Sequence, residues 1–214
     1  YSDSYWMSQH PKLIKDLFSI LNNLKDSKKF ELNNHFDIDK WAKYFAIMDL
    51  TGAYHGSLAK SVKFFYNPTT ALFEPIGYDL HKGTGIFDNF ILIDFLQEAN
   101  VACGFICKHR VWFYRFLKKE NGEINNPFLE KYIKYLIEFS DKEFVEKFLD
   151  IHDEELSEYN NAIYKDFPRS DKSSWIGAGF FVYDDEYLFK RAKLIRNRIK
   201  STDIKGVDIS KTEK

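Results

Sequence analysis

Asp79 closes a stretch, KSVKFFYNPTTALFEPIGYD (60–79), that reads as two short strands joined by a turn and running out at an acid. A carboxylate released there, followed by the glycine-containing loop LHKGTG (80–85), has the position and charge to hold a divalent cation against phosphate oxygens. Four neighbours in sequence carry compatible chemistry. His55, in the polar loop GAYHGS, is of the type that takes a proton from an attacking hydroxyl, since its ordinary pKa is about 6.5. Lys60 and Ser61, at the head of the first strand, are a cation for phosphate and a hydroxyl for phosphate or metal. His81 completes a metal pair with Asp79 across one intervening residue. Each has an ordinary alternative. Asp commonly caps turns, a loop histidine is commonly held by hydrogen bonds, Lys60 and Ser61 are ordinary strand-start residues, and His81 is a solvated side chain.

Two other clusters are weaker. Cys103, Cys107 and His109 resemble a metal set, with the thiols one helical turn apart, but their surroundings are apolar and no fourth ligand follows at close spacing. Free cysteine is among the most buried residue types, so a packed core is the better reading. The basic run KRAKLIRNRIK (190–200) reads as the solvated face of an amphipathic helix around Leu194 and Ile195 rather than a phosphate site. The sequence has no GxGxxG or GxxxxGK[ST] phosphate cradle, no GxSxG elbow and no HExxH pair.

The elements that must position these residues follow from periodicity. Leu13, Leu17, Ile20, Leu21 and Leu24 predict a helix over 10–25, with Pro11 in its first turn. A second helix begins near Asp37, buries Trp41, Tyr44, Phe45 and Met48, and ends at Gly52. The period then changes to two: Val62, Phe64 and Tyr66 alternate with Ser61, Lys63 and Phe65. Asn67-Pro68-Thr69-Thr70 is turn chemistry, and Leu72–Ile76 returns as a strand. There Pro75 marks an edge or faces away from its partner. Residues 88–117 predict two helices broken near Gly104 or Lys108. Asn126-Pro127 opens a helix carrying Phe128, Ile133, Leu136 and Ile137, and Ser140 with Glu143 predicts a capping box before Phe144, Phe148 and Ile151. Residues 168–180 read as a loop, 184–200 as a basic helix, and 202–214 as a disordered tail after one domain over 1–201. The expected class is α+β, strongly helix-weighted, with one β-hairpin.

Composition narrows the function classes. The 214 residues suffice for one domain. Aromatic residues at 18% predict a core built on large rings, and a net charge of −1 leaves no electrostatic footprint for nucleic acid or an anionic membrane. Two cysteines are too few for a disulfide scaffold. The most apolar region, 86–117, is interrupted by Asp88, Asp94, Glu98, Lys108 and Arg110 and falls short of the roughly 18 apolar residues of a membrane span. The polar start at Tyr1 lacks the pattern of a signal peptide and reads as a processed or excised piece of a longer chain.

With these residues in view, the segment 36–85, containing WAKYFAIMDLTGAYHG and FFYNPTTALFEPIGYDL, resembles the CotH kinase family, the spore-coat-protein-H-like atypical kinases. The resemblance implies a protein-kinase-like carboxy-terminal lobe that transfers phosphate from ATP, with Mg2+ or Mn2+, to a protein Ser or Thr. It also implies a bacterial setting at the cell surface, in secretion or in the spore coat. Asp79 matches the family's metal-binding acid, the counterpart of the kinase DFG aspartate. Ser61 falls where the family usually has a metal-binding Asn, His55 or Gly56 near its catalytic Asp, and His81 where many members have a second Asp. Three of four positions thus depart from the pattern. Nothing before Phe36 resembles the β-rich amino-terminal lobe with its strand-borne Lys that an active kinase uses. A catalytically degenerate pseudokinase acting as a structural or partner-binding domain is therefore the competing expectation.

Overall fold

Asp37 starts the helix on which the rest is assembled. Its side-chain oxygen accepts from the amides of Asp39 (3.2 Å) and Lys40 (3.1 Å), satisfying two orphan donors of the first turn. In the computed structural model, which describes residues 5, 8–23, 31–58, 61–80, 88–96, 112–119, 122–166 and 185–202, the elements run in the following order. Helix α1 is Pro11–Asn23, α2 is Ile38–Thr51, β1 is Lys63–Asn67 and β2 is Leu72–Ile76. Helices α3 (Trp112–Leu117), α4 (Asn126–Phe139), α5 (Lys142–Asp166) and α6 (Asp185–Ser201) follow. Short 3-10 turns lie at Leu32–Asn34, Tyr54–Ser57 and Leu92–Leu96. Among the described residues the class is α+β and helix-rich, with one antiparallel hairpin, as expected.

Gly52 ends α2 in the left-handed region (φ 65°), where a Cβ would also run into the Tyr187 hydroxyl. The four expected core residues of α2 are all buried. They join an aromatic cluster in which Trp41 stacks on Phe116 (4.8 Å between centroids) and Trp112 (6.0 Å) and meets Phe36 and Phe45. Helix α2 packs along α4, and α6 lies against both.

The hairpin is held to α2 from two directions. Trp41 Nε1 donates to the Phe73 carbonyl (3.0 Å), and the chain before α2 pairs beside β2, with Phe73 N donating to His35 O (2.7 Å) and Asp37 N to Phe73 O (3.0 Å). Phe73 therefore turns its main-chain bonds away from β1, and Pro75, two residues on and opposite Phe64, faces the same way. Its missing amide costs the β1–β2 ladder nothing. Phe64 and Tyr66 turn inward while Phe65 stays 44% exposed. Asn67 closes the turn, its side chain accepting from Thr69 N (2.9 Å) and donating to the buried Glu74 (2.7 Å). Glu74 also takes Lys40 Nζ at 2.6 Å, and that bond holds its carboxyl below the usual range.

Three expectations are corrected. The cap of α5 is Asp141, whose Oδ1 accepts from Glu143 N (2.9 Å); Ser140 ends α4 instead, because the two helices meet at that residue. Of the apolar face expected for α5, Phe144 is half-buried against the core while Phe148 and Ile151 are exposed, since α5 runs on beyond its neighbours; its fully buried residue is Val145, which lies off that expected face. Residues 88–96 form a turn and a 3-10 segment rather than the start of a long helix, because the Asp94 carboxylate accepts from Ile91 N (3.1 Å) and closes the chain locally. Trp112–Leu117 is helical; residues 97–111, with Cys103, Cys107 and His109, and residues 168–180 lie outside the described residues. No helix among the described residues is long and apolar enough to cross a membrane.

The α2 end carries a polar knot. Asp49, fully buried, accepts from Tyr54 OH (2.7 Å), Leu92 N (2.9 Å) and Tyr132 OH. Arg191, 1% exposed on α6, donates through Nε and Nη2 to the Asp49 carbonyl (2.9 and 2.7 Å), and to the carbonyls of Asp88 (3.0 Å) and Phe90 (2.9 Å). Burial pushes the Asp49 carboxyl up to about 6, against the Tyr132 and Tyr54 hydroxyls that favour its charge. A carboxyl raised in the folded state contributes stability that is complete below its unfolded value of 3.8 and is lost as pH rises through about 6. The stability of the wild type relative to Asp49→Asn should therefore fall by an amount on the order of 3 kcal/mol between pH 3.5 and 6.5, read from denaturant melts across that range. Trp41→Ala should cost about 3–5 kcal/mol in the same assay.

Candidate functional site

Three of the five residues singled out in the sequence meet. His55 is placed by the 3-10 turn Tyr54–Ser57 that follows the Gly52 cap, and Ser57 Oγ donating to Tyr54 O (2.7 Å) tightens that turn. Ser61 sits just before β1, its amide donating to Leu58 O (2.8 Å). Asp79 follows β2 by three residues and takes a left-handed conformation (φ 57°), which Asp tolerates better than most residues. That backbone bend brings the carboxylate back to the loop. Oδ2 of Asp79 lies 2.5 Å from His55 Nδ1 and accepts from Ser61 Oγ at 3.0 Å; Ser61 Oγ is 3.4 Å from the same ring nitrogen. Lys60 and His81 lie outside the described residues.

The three differ in access. Ser61 is buried, whereas the side chains of His55 and Asp79 keep 24% and 32% of their surface exposed, enough for a ligand to reach them. Gly56 lets the two halves approach: a Cβ there would meet Met48 Cε and the Tyr78 carbonyl, each at 2.9 Å, as well as Leu80. Lys63 Nζ lies 5.3 Å from the centre of the exposed Tyr78 ring, next to Asp79, placing a cation at the edge of the site.

The donor set fits a cation carried by a nucleotide better than a bare one. Mg2+ commonly takes one or two protein carboxylates and completes its shell with phosphates and water, and a Ser hydroxyl with an Asp is a metal pair of phosphoryl-transfer sites. Asp79 and Ser61 are residues of those types, 3.0 Å apart. Among the described residues no group of three His, Cys, Asp or Glu side chains could hold a metal alone.

The polar knot under the site was not foreseen, although its signals were present. Asp49 stands four residues after Phe45 and eight after Trp41, an acid on the apolar stripe of α2. Arg191 likewise falls on the stripe of Leu188 and Ile195, so α6 is solvated only on its Lys190, Lys193 and Lys200 side.

Two outcomes follow from the geometry. Gly56→Ala should destabilise by about 1–3 kcal/mol in denaturant melts, because the added carbon meets main chain. It should also shift the amide resonances of Tyr78 and Asp79, which a mutation confined to the His55 turn would leave in place.

Comparison with known proteins agrees with the resemblance in the 36–85 segment and extends it. A family model described as CotH kinase protein matches residues 5–187. No curated protein and no solved structure matches the chain. With the family model spanning most of its length, the chain belongs to the CotH kinase family.

Proposed function

We propose that this chain is the metal-side portion of a CotH-type kinase domain, a protein-kinase-like carboxy-terminal lobe supporting ATP-dependent phosphoryl transfer to a protein Ser or Thr. The observation that carries this reading is the convergence of His55 and Ser61, which precede the hairpin, on one oxygen of Asp79, which follows it. Asp79 and Ser61 would hold Mg2+ or Mn2+ bound to ATP, and His81 would add a ligand. When bound, the cation draws negative charge from the phosphates during transfer. Lys60 would meet a phosphate.

His55 is the base. Its Nδ1 faces the Asp79 carboxylate, which favours the proton on that nitrogen and leaves Nε2 as the basic one. An acceptor hydroxyl reaching Nε2 would give its proton to the ring as its oxygen bonds to the γ-phosphorus and the bond from that phosphorus to ADP breaks, with Asp79 beside the imidazolium so formed. Ser61, donating to the same carboxylate oxygen, fixes the direction of that oxygen. A positioned base of this kind contributes about 10²- to 10⁴-fold to rate.

A pseudokinase reading is favoured by one specific feature: on the family resemblance His55 or Gly56 falls near the catalytic Asp and Ser61 where an Asn is usual, which leaves a single carboxylate, Asp79, among the three residues that meet. Calorimetric titration with ATP and Mn2+ separates the two. On the enzyme reading the chain binds the metal–nucleotide pair, binds Mn2+ alone at least tenfold more weakly, and loses both in Asp79→Ala with the fold intact by circular dichroism. His55→Ala should keep binding and lose about 10²-fold or more of phosphate transfer to protein acceptors. No binding by the wild type would leave the pseudokinase reading standing.

A further inference from the structure

We propose that Asp49, Tyr54 and the Phe90 carbonyl form a proton-operated hydrogen-bond switch seated directly beneath the His55 turn. The Tyr54 hydroxyl carries one proton and lies 2.7 Å from two acceptors, Asp49 Oδ1 and Phe90 O, while receiving Arg191 Nη2 at 2.5 Å. It can donate to only one of them. With Asp49 ionised, the hydroxyl donates to Oδ1 and the Phe90 carbonyl keeps Arg191 Nη2 (2.9 Å). With Asp49 protonated, its new O–H donates to the Tyr54 oxygen and the Tyr54 hydroxyl turns to Phe90 O. Both arrangements leave the shared oxygens bonded, so neither incurs the penalty of a buried unpaired polar group. The added proton is taken from water and returned to it, and no other bond changes.

The surroundings hold both forms in reach. Arg191 on α6 sends its guanidinium to main-chain carbonyls, and its Nη2 meets Tyr54 rather than the Asp49 carboxylate. Tyr132 on α4 donates to Asp49 Oδ2, and Leu92 N to Oδ1 (2.9 Å). Tyr187 on α6 faces the knot, and Asp94 in the 3-10 segment is paired with Arg198 at 2.9 Å. Full burial raises the Asp49 carboxyl to about 6, against the two hydroxyls, the Arg191 charge and the Leu92 amide, all of which favour its ionised form. Tyr54 is the residue before His55, and its oxygen is the pivot, so the proton state of Asp49 is transmitted to the turn that carries His55. The switch stands whether or not the chain transfers phosphate.

Amide resonances followed from pH 4.5 to 7.5 test this in a His55→Gln background, which removes the imidazole from the turn. The Leu92 amide, a donor to Asp49, and the amides of residues 54–57 should shift together with a common midpoint near pH 6. Tyr54→Phe should leave the Leu92 titration in place and remove that of residues 55–57, and Asp49→Asn should remove both. A flat Leu92 amide between pH 5 and 7 would overturn the switch, as would a turn that still titrates in Tyr54→Phe. If Asp49→Asn fails to fold, the first two samples decide alone.

Discussion

The far end of α2 is where the structure spends its buried polar bonds, and the site depends on that choice. A helix that ended at Gly52 with an ordinary apolar last turn would leave the following loop to find its own place. Here Asp49 and Arg191 tie the helix end to the 88–92 chain and, through Tyr54 and Tyr132, to the turn bearing His55 and to α4. Removing one partner of such a network leaves the others buried and unpaired, which is far costlier than the net worth of any one bond. The near end of α2 has a separate anchor, the Trp41–Phe73 bond and the pairing of residues 35–37 with β2, which fixes the hairpin carrying Ser61 and Asp79 at its base. One helix thus locates both halves of the candidate site.

Much of this was legible in the residues because local physics decided it. The period change at Val62 located the hairpin, Gly52 ended α2, and Pro127 opened α4 within a residue of the observed start. The four residues expected on the buried face of α2 are buried, together with Ala42, Ala46, Asp49 and Leu50. What escaped were features set by tertiary partners. Asp49 and Arg191 are polar residues on apolar stripes, and nothing in their own segments shows the partners that satisfy them, Tyr54, Tyr132 and the Leu92 amide for one and main-chain carbonyls for the other. Ser140 and Asp141 both suit a cap, and only the meeting of α4 and α5 decides between them. The exposed Phe148 and Ile151 follow the helical period faithfully, but period cannot say where a neighbouring helix ends.

The site itself was half legible. Asp79 stood out as an acid after a hairpin, yet its left-handed backbone, which turns the carboxylate towards His55, is invisible to pattern reading. The contact of His55 with Asp79 is one that a second carboxylate in place of the ring would oppose by like-charge repulsion. With Ser61 donating to the same oxygen, the three side chains share one negative charge.

The most direct test of that arrangement locates the cation rather than measuring turnover. Mn2+ broadens nearby resonances, so titrating the isotopically labelled chain with substoichiometric Mn2+ and ATP maps where the pair sits. If Asp79 and Ser61 hold it, the amides of residues 55–57, 61 and 78–80 broaden first, and Asp79→Asn abolishes the effect while leaving the remaining spectrum unchanged. Broadening centred elsewhere, or none at these residues with ATP present, would contradict a metal–nucleotide role for Asp79.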